Sequence, residues 1–173
     1  GKVMITGGNP PETYSTISLL GTTSTIYPSR VTEVIDLNDA NPTWRRAAPM
    51  NIGRRHSTAT LLPGGNVLLL GGSSSPGFNT SVGAARWAEL WDPASETWTP
   101  MAAAQRYNGY HCNALLLPDG RVVTTGGGHP NPPDVPAVAP EFGAEPTAEI
   151  FSPHYLFNGP RPTIASAPAS VTY

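Results

Sequence analysis

The sequence predicts an all-β protein built from repeated four-stranded units, and three observations support this prediction. Gly contributes 18 and Pro 20 of the 173 residues, while only 13% of residues are charged, which excludes a helical bundle or a coiled coil. The hydrophobic content of 39% is too high for a disordered chain. A short apolar pattern also recurs along the chain, as expected when one structural unit is repeated.

The recurring pattern is an apolar run that ends in two glycines. It reads VMITGG at 3–8, VLLLGG at 67–72 and VVTTGG at 122–127, so the copies are 64 and 55 residues apart. Further landmarks keep nearly the same second spacing: Glu33 and Glu89, Trp44 and Trp98, His56 and His111, Pro63 and Pro118. Landmarks that return in the same order indicate a true repeat.

Each unit is predicted to hold short strands separated by turn residues. In the best-preserved unit the strands are His56 to Leu62, Val67 to Leu70, Arg86 to Trp91 and Thr97 to Thr99, with a turn at 63–66. The next unit gives strands at 110–117, 121–125 and 148–151. The first two strands of each unit are almost continuously apolar, which predicts burial on both faces, whereas the third is more mixed.

A four-stranded unit with paired glycines after its second strand and a Trp near its fourth resembles the kelch repeat, which implies a β-propeller blade. In that setting the glycines serve backbone conformation and close packing between blades. A phosphate loop at Gly126 to Gly128 is disfavoured because no helix follows it. We therefore expect residues 1–160 to form an incomplete propeller, about two to three four-stranded blades of about seven, with the rest on the N-terminal side.

The C-terminal residues 161–173 differ from the repeats. After a turn-rich link, Thr163 to Tyr173 alternate small and apolar residues, which is typical of a strand. We expect this segment to be the truncated start of an immunoglobulin-like β domain.

Tyr110 and His111 are the first candidates for chemistry, because they open the first strand of their unit. First strands line the central channel of a propeller, so the residues that open them point toward its mouth, where ligands bind. His56 occupies the equivalent place one unit earlier, where Arg55 stands in the position of Tyr110. From spacing alone, these residues fit either packing with a capping hydrogen bond or a ligand site.

The surrounding sequence makes a family resemblance specific. Tyr110 and His111 are followed by LLPDGRV at 116–122, by three glycines at 126–128 and by EIFSPHYL at 149–156. This order resembles the last blade of the galactose oxidase and glyoxal oxidase family of copper radical oxidases. The segment that begins RPTI at Arg161 resembles the start of the C-terminal immunoglobulin-like domain of that family.

The resemblance implies roles for two residues. Tyr110 matches the axial copper ligand that accepts the substrate's hydroxyl proton, and His111 matches one of two histidine ligands in the copper plane. Imidazole suits Cu(II), and a phenol becomes a useful base only when a metal changes its proton affinity. The family's second histidine and its radical group, a tyrosine cross-linked to a cysteine, are expected outside this chain. Cys112 does not match that cysteine and is predicted to be a packed thiol.

Arg55 cannot copy a phenolate, so Arg55 and His56 are predicted to be channel-mouth residues that contact substrate. His129 and His154 are predicted to lie on the surface. The tryptophans Trp44, Trp91 and Trp98 are predicted to pack within the blades.

The resemblance implies a secreted copper radical oxidase that oxidises a primary alcohol or an aldehyde, including carbohydrate alcohols, with O₂ to give H₂O₂. This part alone is expected to be inactive without the remaining blades and the C-terminal domain. The alternative is a kelch propeller without redox chemistry that serves as a scaffold for a carbohydrate or a protein. A hydrolase is disfavoured because no paired carboxylates occupy matching positions.

Charge and hydropathy exclude other classes of function. The net charge is −2, and nine Arg and one Lys are scattered along the chain, so neither a nucleic-acid surface nor a polybasic membrane patch is expected. No apolar stretch is long enough to cross a membrane. The sequon at Asn79 to Ser81 fits a loop of a secreted protein.

Overall fold

The computed structural model describes residues 1–9, 27–76, 81, 83–128, 145–161 and 163–170. These residues form ten strands and one short 3₁₀ helix, His154–Phe157, and no α-helix. The strands make three antiparallel sheets, which confirms the predicted all-β class. Within the described part of the chain, no helix is long and apolar enough to cross a membrane.

The three sheets follow one another along the chain and match the three repeats. The first sheet has the order β1-β2-β3, with β1 at Lys2–Thr6, β2 at Thr32–Asp36 and β3 at Arg45–Arg46. The second has the order β4-β5-β6-β7, with β4 at Thr58–Leu61, β5 at Val67–Leu70, β6 at Trp87–Asp92 and β7 at Thr97–Ala103. The third has the order β10-β9-β8, with β8 at Asn113–Leu116, β9 at Val122–Gly127 and β10 at Glu145–Phe151.

The hairpin between the first two strands has the same turn in both later units. Leu62 donates its backbone N–H to Asn66 O at 2.8 Å, and Leu117 donates to Arg121 O at the same distance. Gly65 and Gly120 take φ values of 88° and 81°, which favour glycine. The predicted turns are therefore confirmed.

The second sheet is packed on both faces, because each neighbouring sheet covers one of them. Toward the first sheet, a cluster contains Val34, Met50, Leu69, Trp91 and Trp98. Toward the third sheet, another cluster contains Leu62, Leu68, Leu70, Ala88, Ala114 and Val122. Leu68 and Leu70 face one way and Leu69 the other, as the two-residue period of a strand requires.

Several predicted strand boundaries were wrong, and two of these errors have the same cause. β4 begins at Thr58 rather than at His56, and β8 begins at Asn113 rather than at Tyr110. His56 and His111 have φ values of 58° and 65°, which interrupt the extended backbone. The fourth strand was also longer than predicted, since β7 continues through Pro100; it lies at the sheet edge, where proline is tolerated.

The first two strands of each unit were predicted to be buried on both faces, and this prediction was only partly correct. β5 is buried, but Leu61 in β4 and Leu115 in β8 are 66% and 64% exposed. β4 and β8 are edge strands of their sheets, so alternate side chains face away from the core. Likewise Trp91 and Trp98 pack as predicted, whereas Trp44 is 47% exposed.

The immunoglobulin-like strand expected within residues 161–173 remains a prediction. Residues 163–170 form no strand, and Ile164 is 84% exposed. A single strand without a neighbour cannot satisfy its backbone hydrogen bonds by pairing. His154 is exposed as predicted, whereas His129, Asn79 and Thr80 lie outside the described residues.

Candidate functional site

Two histidines occupy equivalent, unusual backbone positions in successive units. His56 and His111 each stand two residues before the first strand of their unit. Both take left-handed φ values, which residues other than glycine rarely adopt. Repeated strain of this kind at one place in the fold is a reason to examine it for function.

The ring of Tyr110 contacts both histidine rings. The centroids of Tyr110 and His56 are 5.0 Å apart with the planes at 61°, an edge-to-face contact. The centroids of Tyr110 and His111 are 3.7 Å apart with the planes at 31°. Tyr110 and His56 are half-buried and His111 is exposed, so the cluster can be reached from solvent. The structure therefore brings together three of the four predicted site residues.

Side-chain hydrogen bonds between β4 and β8 hold this cluster together. Thr58 Oγ1 donates to Cys112 O at 3.2 Å, and Thr60 Oγ1 donates to Ala114 O at 3.3 Å. Cys112 Sγ donates in the other direction, to His56 O, at 3.3 Å. The strands that follow the two histidines are thus fixed against each other.

The environment of Cys112 agrees with its predicted role as a packed thiol. Burial raises the pKa of this thiol, and the contact with Thr58 only partly opposes that effect. Cys112 precedes β8 rather than lying inside a strand, contrary to our expectation, because the backbone becomes extended only after His111. A thiol held protonated in this way is a poor nucleophile.

Arg55 is the fourth predicted residue, and its side chain points into the protein. It is only 2% exposed, and its backbone pairs with Ser73 through two hydrogen bonds of 3.1 and 3.0 Å. Burial lowers the pKa of Arg55, and the nearby phenol of Tyr107 opposes this shift. Its positive charge is therefore buried rather than exposed at the surface.

Sequence reasoning missed the ion pair between Arg54 and Glu89. The two side chains are fully buried, and Arg54 Nη2 lies 2.6 Å from Glu89 Oε1. The guanidinium also donates to three backbone carbonyls, at Gly71, Ala85 and Trp87. The recurrence of glutamate at 33 and 89 was the available signal, but it served only as a repeat landmark.

The glutamate of this pair also fixes the segment that leads into the site. Glu89 Oε2 accepts from Asn51 N at 2.7 Å, and Glu89 Oε1 accepts from Ile52 N at 3.2 Å. In the next unit, Glu149 accepts from Gln105 N at 2.8 Å and Arg106 N at 3.4 Å. Each acid therefore holds the chain a few residues before the strained histidine.

The donor atoms present are of kinds that copper accepts, but they are too few for a complete site. Imidazole nitrogen and phenol oxygen are donors that Cu(II) accepts. Across the residues that the structure describes, no group of three or more His, Cys, Asp or Glu side chains could hold a metal ion. Tyr110 and His111 therefore offer two donors of kinds that copper accepts, and the described residues alone do not make a complete metal site.

Comparison with known proteins identifies related sequences. Residues 1–155 match the family described as "Glyoxal oxidase N-terminus". The chain is 33% identical over 144 residues to "Aldehyde oxidase GLOX" of Vitis pseudoreticulata, covering 77% of this chain and 26% of that protein. It is also 33% identical over 112 residues to a "WSC domain-containing protein" of Arthroderma benhamiae, covering 61% of this chain and 11% of that protein.

A solved structure has a similar fold. It is titled "Novel fungal alcohol oxidase with catalytic diversity among the AA5 family, in complex with copper", and it superposes with a TM-score of 0.59 at 24% identity. The match covers 74% of this chain and 24% of that one. The chain thus spans about a quarter or less of the length of these relatives.

Proposed function

Because the chain belongs to the glyoxal oxidase N-terminus family, we propose that it is part of a copper radical oxidase. The intact protein would oxidise a primary alcohol or an aldehyde with O₂ and form H₂O₂. The observation that supports this proposal most strongly is the contact of Tyr110 with His56 and His111. These residues come from two successive units and place phenol and imidazole donors in one cluster that solvent can reach.

The architecture that we propose for the intact protein follows the repeats. Residues 1–160 would be blades of a kelch propeller, and residues 161–173 would begin an immunoglobulin-like domain. Support comes from the packing of successive sheets face to face, with apolar clusters on both sides of the second sheet. The sequon at Asn79 to Ser81 supports the further proposal that the protein is secreted.

Within this site, Tyr110 and His111 would bind copper, and Tyr110 would also act on the substrate. His111 would offer an imidazole nitrogen to copper, and Tyr110 would offer its phenol oxygen and accept the proton of the substrate's hydroxyl group. Copper, with a tyrosine–cysteine radical group from outside this chain, would supply the redox chemistry. Overall, an alcohol would lose two electrons and two protons to O₂, which gives an aldehyde and H₂O₂. An aldehyde would react as its hydrate, which carries a hydroxyl group, and the same loss gives a carboxylic acid and H₂O₂.

His56 and Arg55 would act around these ligands. The edge-to-face contact of His56 restricts the ring of Tyr110, and the half-buried imidazole could contact a substrate at the same time. Arg55 is buried, so it would act on an approaching substrate through its charge rather than by direct exposure. The substrate class is a small alcohol or aldehyde, including carbohydrate alcohols.

The test uses the intact protein and three variants. We expect Tyr110→Phe to abolish peroxide formation, because the proton acceptor is lost, and His111→Ala to lower the copper content per chain as well. The exposed His154 provides a matched control, and His154→Ala should leave copper binding and peroxide formation unchanged. Copper is measured by metal analysis and peroxide by a coupled peroxidase assay with primary alcohols and aldehydes.

The opposite result has a defined meaning. If the unaltered protein binds no stoichiometric copper and forms no peroxide, the oxidase proposal is wrong. The propeller would then be a scaffold for a carbohydrate or a protein, in which Tyr110 and His111 serve packing. If Tyr110→Phe instead keeps full peroxide formation, Tyr110 is not the proton acceptor.

A further inference from the structure

The backbone carbonyl of Tyr110 lies against the glycines that end β9. Gly128 N donates to Tyr110 O at 2.5 Å. A Cβ atom at Gly127 would lie 2.8 Å from Tyr110 O, 3.2 Å from Cys112 N and 3.3 Å from Cys112 Cβ. A Cβ atom essentially never lies within 3.0 Å of another heavy atom outside its own chain neighbours, so a side chain at this position would force the backbone of Tyr110 to shift.

The contact points of Gly127 lie on both sides of His111. Tyr110 O precedes His111 in the chain and Cys112 N follows it. A side chain at position 127 that displaces both atoms must therefore also displace His111. His111 is already held in a left-handed conformation with φ at 65°. Gly127 itself has φ at 146°, a value that side chains disfavour. Because Gly127 has no side chain, the strained turn at His111 can lie directly against it.

The preceding unit repeats the arrangement around Arg55. Ser73 N donates to Arg55 O at 3.0 Å, and a Cβ atom at Gly72 would lie 2.5 Å from the same oxygen. Gly72 has φ at 94°. Gly72 therefore supports the turn at His56 as Gly127 supports the turn at His111. In these two units, the second glycine of the pair therefore lies against a backbone carbonyl of its own unit.

We propose that Gly127, together with the amide of Gly128, is a positioning element of the site that sets the backbone of Tyr110 and His111 for metal binding. This proposal rests on the proposed function, because the metal is the group toward which the two side chains are oriented. It also gives the repeated glycine pair a role beyond packing between sheets. Neither glycine contacts substrate or metal in this account.

The first test compares Gly127→Ala with Gly72→Ala in the intact protein. Both variants add one methyl group against a backbone carbonyl at equivalent positions, 2.8 Å away in Gly127→Ala and 2.5 Å away in Gly72→Ala, so a general effect on folding should be at least as large in Gly72→Ala. We expect Gly127→Ala to weaken Cu(II) binding by about 10- to 100-fold, the range seen when a group that supports a metal ligand is altered. Gly72→Ala should weaken Cu(II) binding less, because it displaces His56, which packs on Tyr110 but is not a proposed copper ligand.

The second test needs no metal and no activity. Hydrogen–deuterium exchange, followed by mass spectrometry of the metal-free proteins, reports the opening of each turn. We expect faster exchange in the peptide spanning 107–116 for Gly127→Ala, and in the peptide spanning 53–60 for Gly72→Ala. If Gly127→Ala does not fold, Gly128→Ala is measured in its place. Gly128 has φ at 95°, so a side chain there strains the backbone that donates to the same carbonyl.

The outcomes separate this proposal from the proposed function. Equal Cu(II) affinities for Gly127→Ala and the unaltered protein, or equal losses in both glycine variants, would overturn the positioning role. Unchanged exchange at 107–116 in Gly127→Ala would also overturn it. If the unaltered protein binds no Cu(II), the proposed function fails, while the exchange experiment still decides whether Gly127 sets this turn.

Discussion

The buried pair of Arg54 and Glu89 gives the most direct prediction about stability. Replacing Glu89 by Ala leaves the guanidinium of Arg54 fully buried without its carboxylate. Breaking a buried ion pair by removing one partner costs about 3–5 kcal/mol. Glu89 also accepts the backbone N–H groups of Asn51 and Ile52, and the two lost bonds together add about 1 kcal/mol, because these donors are only partly buried and water can replace the carboxylate. We expect the free energy of unfolding to fall by about 4–6 kcal/mol.

This loss is large beside the whole stability of a typical protein, which is about 5–15 kcal/mol. The assay is equilibrium unfolding in urea, in which an m value of about 2 kcal/mol per molar converts the loss into a midpoint shift of about 2–3 M. Glu149→Ala is the matched control, because Glu149 holds backbone amides in the same way but near the surface. Its loss should be about 1 kcal/mol, since water can replace the carboxylate.

The double variant Arg54→Met with Glu89→Leu tests the cause. Replacing both charges together with apolar side chains leaves no uncompensated charge, so the double variant should be more stable than Glu89→Ala alone. The reasoning is refuted if Glu89→Ala costs no more than Glu149→Ala, or if the double variant is the least stable of the three.

Two further predictions concern single groups. Burial raises the pKa of the Cys112 thiol, so iodoacetamide at pH 8 should label the native protein more than about tenfold more slowly than the urea-unfolded protein; equal rates would contradict the packed-thiol assignment. The hydrogen bond from Arg45 lowers the pKa of Glu96, so any stability from this pair is present above the ordinary carboxyl pKa and is lost as the pH falls through the lowered value. Because the Arg45 side chain is 50% exposed, Arg45→Ala should shift the urea midpoint only slightly at pH 7. The shift should become smaller as the pH falls through the lowered pKa of Glu96, and a larger shift at low pH would reverse the predicted sign.

Local patterns predicted the strands and turns well, because both depend on neighbouring residues. The alternation and the glycine turns located β5, β6 and β9 to within two residues. The starts of β4 and β8 were missed, since no sequence pattern signals that His56 and His111 adopt positive φ. Tertiary contacts impose that conformation, and the residue type alone disfavours it.

The sequence by itself determined the repeat, the all-β class and the equivalence of His56 and His111, because each follows from spacing and composition. It also singled out Tyr110, through the motif around it. Only the tertiary structure decided that His56 packs against Tyr110, that Arg54 and Glu89 are buried together, and that Gly127 faces the carbonyl of Tyr110. These contacts join residues that are 17 to 54 positions apart in the chain. The packing of whole sheets sets their distances, and a local pattern carries no information about which side chains will meet across such an interface.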